Sequence, residues 1–203
     1  MTLIVGFDLD LTLVDSRERV LTSYVAAFAD LGDPVAASEL EPLLGLPLTV
    51  TATRLRPHLD QDELVRRYRH HYDVGAAEAP HAAMPGAREA LQAVHAHGGR
   101  SVVISAKYGP AVDLALTEAG LADLVDRVHA ERFAEGKTHA LQQEGAGIYV
   151  GDHVEDMKSA VRAGAVGVGV ATGAFDAAAL RAAGATTALA SMADFPAYLD
   201  GRR

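Results

Sequence analysis

The chain contains no cysteine, which excludes a disulfide framework and thiolate chemistry. No apolar stretch in it reaches the length of a membrane span. Its first residues read directly as a strand, with no basic region or cleavage site ahead of them. A cytoplasmic protein without a membrane partner is therefore expected. Positive charge is scarce as well. Eighteen Lys and Arg against 27 Asp and Glu leave a formal net charge of −9. That balance argues against nucleic acid as a partner, because phosphate backbones are bound by an excess of cations. An anionic substrate would have to be held locally, by a metal, a lysine or helix N-termini. Lysine is rare enough to read one by one: Lys107, Lys137 and Lys158 are the only three.

What is present is an ordinary globular composition, with 49% hydrophobic and 22% charged residues among 203. The length allows one domain with a large core, or a core with a small insertion. The run Thr2-Leu3-Ile4-Val5 has the character of a buried strand. It leads into two carboxylates, Asp8 and Asp10. In extended chain, residues two apart point to the same side, so both are expected to face one small volume. Two such charges are costly to bury together. A cation between them would resolve the cost, as would a role for one of them in attack or proton transfer. A strand end followed by an acidic turn is the simpler reading of these residues alone.

Residues 16–85 read as helical. Val20, Tyr24, Ala27, Phe28 and Leu31 recur at helical spacing, with Asp15 and Glu18 as a capping pair. Shorter helices are expected over Pro34–Leu44 and Leu48–Leu55, and a polar helix over Asp60–Tyr72. A linker follows at Glu78–Gly86. Beyond it, helices at Ala87–His97, Gly109–Gly120, Lys137–Glu144, Asp152–Ala163 and Ala177–Ala183 alternate with strands at Arg100–Ser105, Val125–Val128, Gly147–Gly151, Val166–Val170 and Thr187–Ala190. This rhythm implies βαβ units, hence the α/β class with a parallel sheet. In such sheets ligands bind beyond the carboxyl ends of the strands. The residues to read are thus Asp8 and Asp10, Ser105-Ala106-Lys107, Lys137 and Gly151-Asp152.

On a helix starting at Asp152, Asp156 would share its face. Asp152 with Glu155 also fits a helix cap. Taken with Asp8 and Asp10, the segment supplies the second half of an all-oxygen ligand set suited to a hard cation such as Mg²⁺. Lys137 lies at an expected helix start beside Gly136, where it can hold an anion with free backbone N–H groups. Lys158 reads as a surface residue.

In their order, these segments resemble the four motifs of the haloacid dehalogenase superfamily. Asp8-Leu9-Asp10-Leu11-Thr12-Leu13-Val14-Asp15-Ser16 resembles the first, Ile104-Ser105 the second, Lys137 the third and Gly151-Asp152 to Asp156 the fourth. Within the superfamily the chain is similar to phosphoglycolate phosphatases and related small-molecule phosphatases. The resemblance implies a three-layer, Rossmann-like core from 1–15 and 86–203, and a helical cap from 16–85. It implies hydrolysis of a small phosphorylated metabolite, with Asp8 as nucleophile and Asp10 as general acid and base. Ser105 and Lys137 would bind phosphoryl oxygens. Mg²⁺ would be held by Asp8, the backbone carbonyl of Asp10, and Asp152, with Asp156 assisting. Thr12, Ser105, Ala106, Lys137 and Arg54 would contact the substrate. A monomer or weak dimer is expected.

Two positions depart from the family pattern: Leu11 stands where glycine is usual, and Ala106 where phosphoglycolate-type members have asparagine. The loop Gly45-Leu46-Pro47 resembles the cap loop that reaches the active site, with Arg54, Arg56 and His58 as candidates for a substrate carboxylate or second phosphate. Crossings near Ser16 and Pro80–Pro85 would be the hinges. A phosphomutase and a catalytically silent phosphate-binding module are the alternative functions.

Overall fold

The structure is a computed structural model and describes residues 2–75 and 80–202. Six parallel strands form one sheet in the order β5-β4-β1-β6-β7-β8. They are β1 (Ile4–Phe7), β4 (Arg100–Ile104), β5 (Arg127–His129), β6 (Ile148–Gly151), β7 (Val166–Val170) and β8 (Thr187–Leu189). Helices on both faces cover it. The first strand is central because its IVGF sequence carries nothing polar for an edge to expose. On one face Phe7, Val103 and Val150 pack among Leu91, Val112 and Phe195. On the other, Ile104 and Tyr149 pack against Ala140, Leu141 and Ala160. These contacts set α5 (Ala87–Ala96), α6 (Gly109–Glu118) and α10 (Phe195–Asp200) against α7 (Glu135–Glu144) and α8 (Val154–Ala163). The result is three layers, as the resemblance implied.

Register places the site. Phe7 lies opposite Val103 on one side and Val150 on the other. The N–H of Asp8 continues the ladder to the carbonyl of Val150 at 2.8 Å. The ends of β1, β4 and β6 therefore open together, and Asp8, Ser105 and Asp152 leave the sheet side by side.

Between β1 and β4 the chain makes a helical unit of α1 (Arg17–Asp30), α2 (Ala37–Leu40), α3 (Leu48–Leu55) and α4 (Gln61–Val74). In α4, Leu64, Tyr68 and Tyr72 repeat every four residues and form one buried stripe. It packs with Tyr24, Phe28 and Ala52 in a core of its own. Asp60 starts α4 by accepting the N–H groups of Asp62 and Glu63, each at 3.0 Å, a cap typically worth about 1 kcal/mol. The opposite face of α4 is charged, with Arg66 and Arg67 both paired to Glu63.

The two crossings between this unit and the sheet are bonded to each other. β2 (Val14–Asp15) pairs antiparallel with β3 (Ala82–Ala83), a pair too short to register in the sequence pattern. Gly86 then returns the chain to α5 at φ 85°, and a Cβ there would collide with the backbone of Ala193. The linker expected at 78–86 lies partly outside the described residues.

Several boundaries shift. β5 runs from 127 to 129, α7 begins at Glu135, and α8 begins at Val154. The cap of α8 is His153, whose Nδ1 accepts the N–H of Glu155 at 3.0 Å while Asp156 accepts the N–H of His153 at 3.1 Å. Asp152 thus precedes the helix and is not its cap. Asp15 also plays a smaller part than expected. Ser16 occupies the N-cap of α1 without a side-chain bond, and Asp15 accepts only a long 3.4 Å bond from the N–H of Arg17.

Candidate active site

Asp8 and Asp10 take different cation partners. β1 ends at Phe7, and the chain turns sharply: the N–H groups of Leu13 and Val14 both bond to the carbonyl of Leu9, at 2.9 and 3.0 Å. Leu11 sits in this turn at φ 57°. A left-handed conformation costs a non-glycine residue roughly 1–2 kcal/mol, which explains why glycine would be the easier residue there. Asp8 goes inward, with its Oδ1 2.9 Å from the Nζ of Lys137. Asp10 goes toward the cap, with its Oδ1 3.0 Å from the Nζ of Lys107.

The inner cluster gathers Asp8, Asp152 and Asp156, which offer oxygen atoms all within 4.8 Å of one another. All three are buried. The ammonium of Lys137 also lies 2.6 Å from Asp156 Oδ1. Three carboxylates thus surround one cation, and the electrostatics follow. Burial pushes Asp8 up to about 7 against the pull of Lys137. Burial and the charges of Asp8 and Asp156 hold Asp152 well above the usual carboxylate range. Burial works against the charge of Lys137, but Asp156 and Asp8 outweigh it and hold the ammonium well above its ordinary range.

Hydrogen bonding sorts the three carboxylates. Asp156 is engaged on both oxygens: Oδ1 accepts from Lys137 Nζ at 2.6 Å and Tyr149 hydroxyl at 3.3 Å, and Oδ2 accepts the N–H of His153. It anchors Lys137 and the start of α8. Asp152 accepts one bond on Oδ1, from the hydroxyl of Thr12 at 3.0 Å. Its Oδ2 lies against Gly173, where any Cβ would collide with it. Thr12 is fully buried and its hydroxyl donates to Asp152, so it supports that carboxylate. An all-oxygen set carrying more negative charge than one lysine can balance fits a hard divalent cation. Asp8 and Asp152 have the oxygen atoms to offer it.

Ser105 follows β4, buried, and its Oγ accepts the N–H of Lys107 at 3.1 Å. That bond tightens the turn and carries Lys107 to Asp10. Lys107 is the residue the motif pattern passed over; a serine–lysine pair two apart at a strand end was the available signal. Its Nζ donates to the hydroxyl of Tyr72 on α4 at 2.7 Å. Tyr72 in turn meets His81 Nε2 at 2.6 Å, and His81 Nδ1 meets Glu118 Oε2 at 2.6 Å. Burial opposes the charge of Lys107, yet Asp10 and Tyr72 raise its pKa above the ordinary lysine value. Burial lowers that of His81 despite Glu118. A continuous polar line therefore runs from Asp10 through the cap to the core helix α6.

Between core and cap lies a cavity of about 290 Å³. Asp10, Ala106 and Lys107 form its floor, and the loop Gly45-Leu46-Pro47 is part of its wall. Gly45 stands at φ 88° close to the ring of His153, so this loop does reach the core. The expected specificity residues do not line it. Arg54 is exposed on the far side of α3, beside Thr49, Val50 and Thr53. Arg56 pairs with Asp33 at 2.9 Å, and His58 pairs with the same carboxylate. Helical spacing could not tell which side of α3 turns inward. The arginines at the cavity are instead Arg17 and Arg69. Lys158 is on the surface, paired with Glu155.

A doubly wound parallel sheet, an inserted helical unit and an acidic centre at the strand ends together make a capped, Rossmann-like α/β protein. The chain belongs to the haloacid dehalogenase-like hydrolases, whose family model matches residues 5–170. It is 29% identical over 187 residues to the "Probable phosphatase IndB" of Dickeya dadantii, covering 84% of this chain and 81% of that protein. Its fold matches a predicted phosphatase from Clostridium acetobutylicum with a TM-score of 0.86, at 21% identity over 99% of both chains. It also matches a family hydrolase from Deinococcus radiodurans solved with bound phosphate and sodium, with a TM-score of 0.73 and 23% identity over 98% of this chain and 96% of that one.

Proposed function

We propose that the chain is a Mg²⁺-dependent phosphatase that hydrolyses a small phosphorylated metabolite through an aspartyl-phosphate on Asp8. The observation that carries this reading is that each aspartate has its own lysine. Asp8 is held by Lys137 at 2.9 Å inside the acidic cluster, and Asp10 by Lys107 at 3.0 Å on the cavity side. Separate partners support separate roles, attack on phosphorus for Asp8 and proton transfer at the leaving oxygen for Asp10.

An oxygen of Asp8 attacks phosphorus while the bond to the substrate alcohol breaks. Asp10 gives a proton to the departing alkoxide and becomes a carboxylate. A water then loses its proton to Asp10 as its oxygen attacks the phosphorus, which releases inorganic phosphate and restores Asp8. Lys137 offsets charge on Asp8 and on the phosphoryl oxygens throughout, and Ser105 is placed to bond the latter. Mg²⁺, held by Asp8, Asp152 and the carbonyl of Asp10, would keep Asp8 ionised and neutralise the phosphoryl group. The curated relative named a phosphatase and the family match both support this reading.

Phosphate release from a panel of phosphomonoesters, with Mg²⁺ and with a chelator, tests it. Turnover should require the metal and vanish in Asp8→Asn. Wild-type turnover by that variant would reject the mechanism.

A further inference from the structure

The cavity beside Asp10 says something about the alcohol that leaves, given the phosphatase reading above. The chain has only six tyrosines and no tryptophan. Four of the six, Tyr24, Tyr68, Tyr72 and Tyr108, line this one cavity. Aliphatic side chains of Val20, Leu46, Leu48 and Val65 fill much of the remaining wall. The rings are held as a packed set, Tyr24 to Tyr68 at 4.5 Å and Tyr68 to Tyr72 at 5.8 Å between centroids. Tyr24 is 5% and Tyr68 7% exposed, so each contributes a small apolar part of its ring to the wall, held at a fixed angle.

The cations at the cavity are already engaged. Lys107 is paired with Asp10. Arg69 lies over the ring of Tyr108 at 4.4 Å and 4.0 Å from Glu131. Arg17 reaches the carbonyl of Thr172 at 3.5 Å. A substrate carboxylate would share each of these cations with the partner it already has. Between the charged Asp10 and Lys107 of the floor, Ala106 adds only a methyl. A volume of about 290 Å³ is close to the lower bound for sites that enclose ring-sized ligands, and a two-carbon acid would leave most of it unfilled.

We infer that the cavity receives a phosphate ester whose alcohol carries an aromatic or heteroaromatic ring, rather than a glycolate-sized acid. The ring packs among Tyr24, Tyr68 and the aliphatic wall, and the ester oxygen faces Asp10.

The test compares benzyl phosphate with 2-phosphoglycolate, both esters of alkyl alcohols, so that a phenol's better leaving ability does not decide the outcome. We expect kcat/KM for benzyl phosphate to exceed that for phosphoglycolate by at least about tenfold. Leu46→Asn, a half-buried loop residue outside the cap core, should cut that ratio about tenfold, mainly through KM for benzyl phosphate. Asp8-dependent turnover of both esters with phosphoglycolate equal or preferred would overturn the inference and leave the phosphatase reading standing. A preference for the benzyl ester that Leu46→Asn does not change would place the ring elsewhere and also overturn it. Turnover of neither ester, nor of any other phosphomonoester, would remove the phosphatase reading and the inference with it.

Discussion

The ammonium of Lys107 stands 3.0 Å from Asp10 Oδ1, on the side of Asp10 that faces the cap. Its other contact is the hydroxyl of Tyr72, which belongs to the cap. The carboxyl assigned to proton transfer is thus held by a core lysine that the cap itself holds.

Replacing that lysine should therefore reach the chemistry. In Lys107→Met, Asp10 loses its fixed counter-charge and kcat should fall by about tenfold or more, with a smaller change in KM. Tyr72→Phe keeps the ring but leaves buried Lys107 and His81 each short of a partner. Urea unfolding should show a loss of about 1–3 kcal/mol. Wild-type kcat in the first variant and wild-type stability in the second would dissolve the link.

The acidic cluster gives an unusual pH dependence. Asp8 is raised from 3.8 to about 7, and Asp152 is also raised. Between those values the folded protein holds protons that the unfolded chain has released. Stability conferred by protonated Asp8 is full below pH ~4 and is lost as pH rises through about 7. In Mg²⁺-free buffer, the wild-type Tm should drop more between about pH 5 and 7.5 than that of Asp8→Asn. Added Mg²⁺ should restore it most at the upper end, because it binds the ionised form. Parallel Tm profiles for the two proteins would refute the assignment.

Gly173 gives a test of the metal site that leaves every ligand residue unmutated. Its φ is not positive, so alanine suits the backbone, but the added methyl must push Asp152 away. Gly173→Ala should raise the Mg²⁺ concentration for half-maximal activity by roughly 10–100-fold, with kcat largely recovered at saturating metal. An unchanged metal dependence would free Asp152 from that role.

Much of this was legible in the residues. The alternation of apolar runs with helical stretches gave the parallel sheet, the positions just after the strands gave Asp8, Ser105 and Asp152, and an expected helix start gave Lys137. Three things were not legible, for physical reasons. The separate lysine partners of Asp8 and Asp10 depend on the tight turn after β1, where Leu11 stands at φ 57°. The side of α3 that turns inward depends on packing against α4, so Arg54 and not Arg17 looked available. Lys107 and Tyr72 meet across the cap–core boundary, 35 residues apart in sequence, and no local pattern encodes such a contact.

The nucleophile is the claim on which the rest depends. Enzyme mixed with substrate carrying a labelled phosphoryl group, quenched in acid within one turnover and mapped by peptide, tests it most directly. One phosphoryl group should appear on the peptide that contains Asp8, and none should appear in Asp8→Asn. Full turnover with no covalent label, or label on another residue, would contradict it.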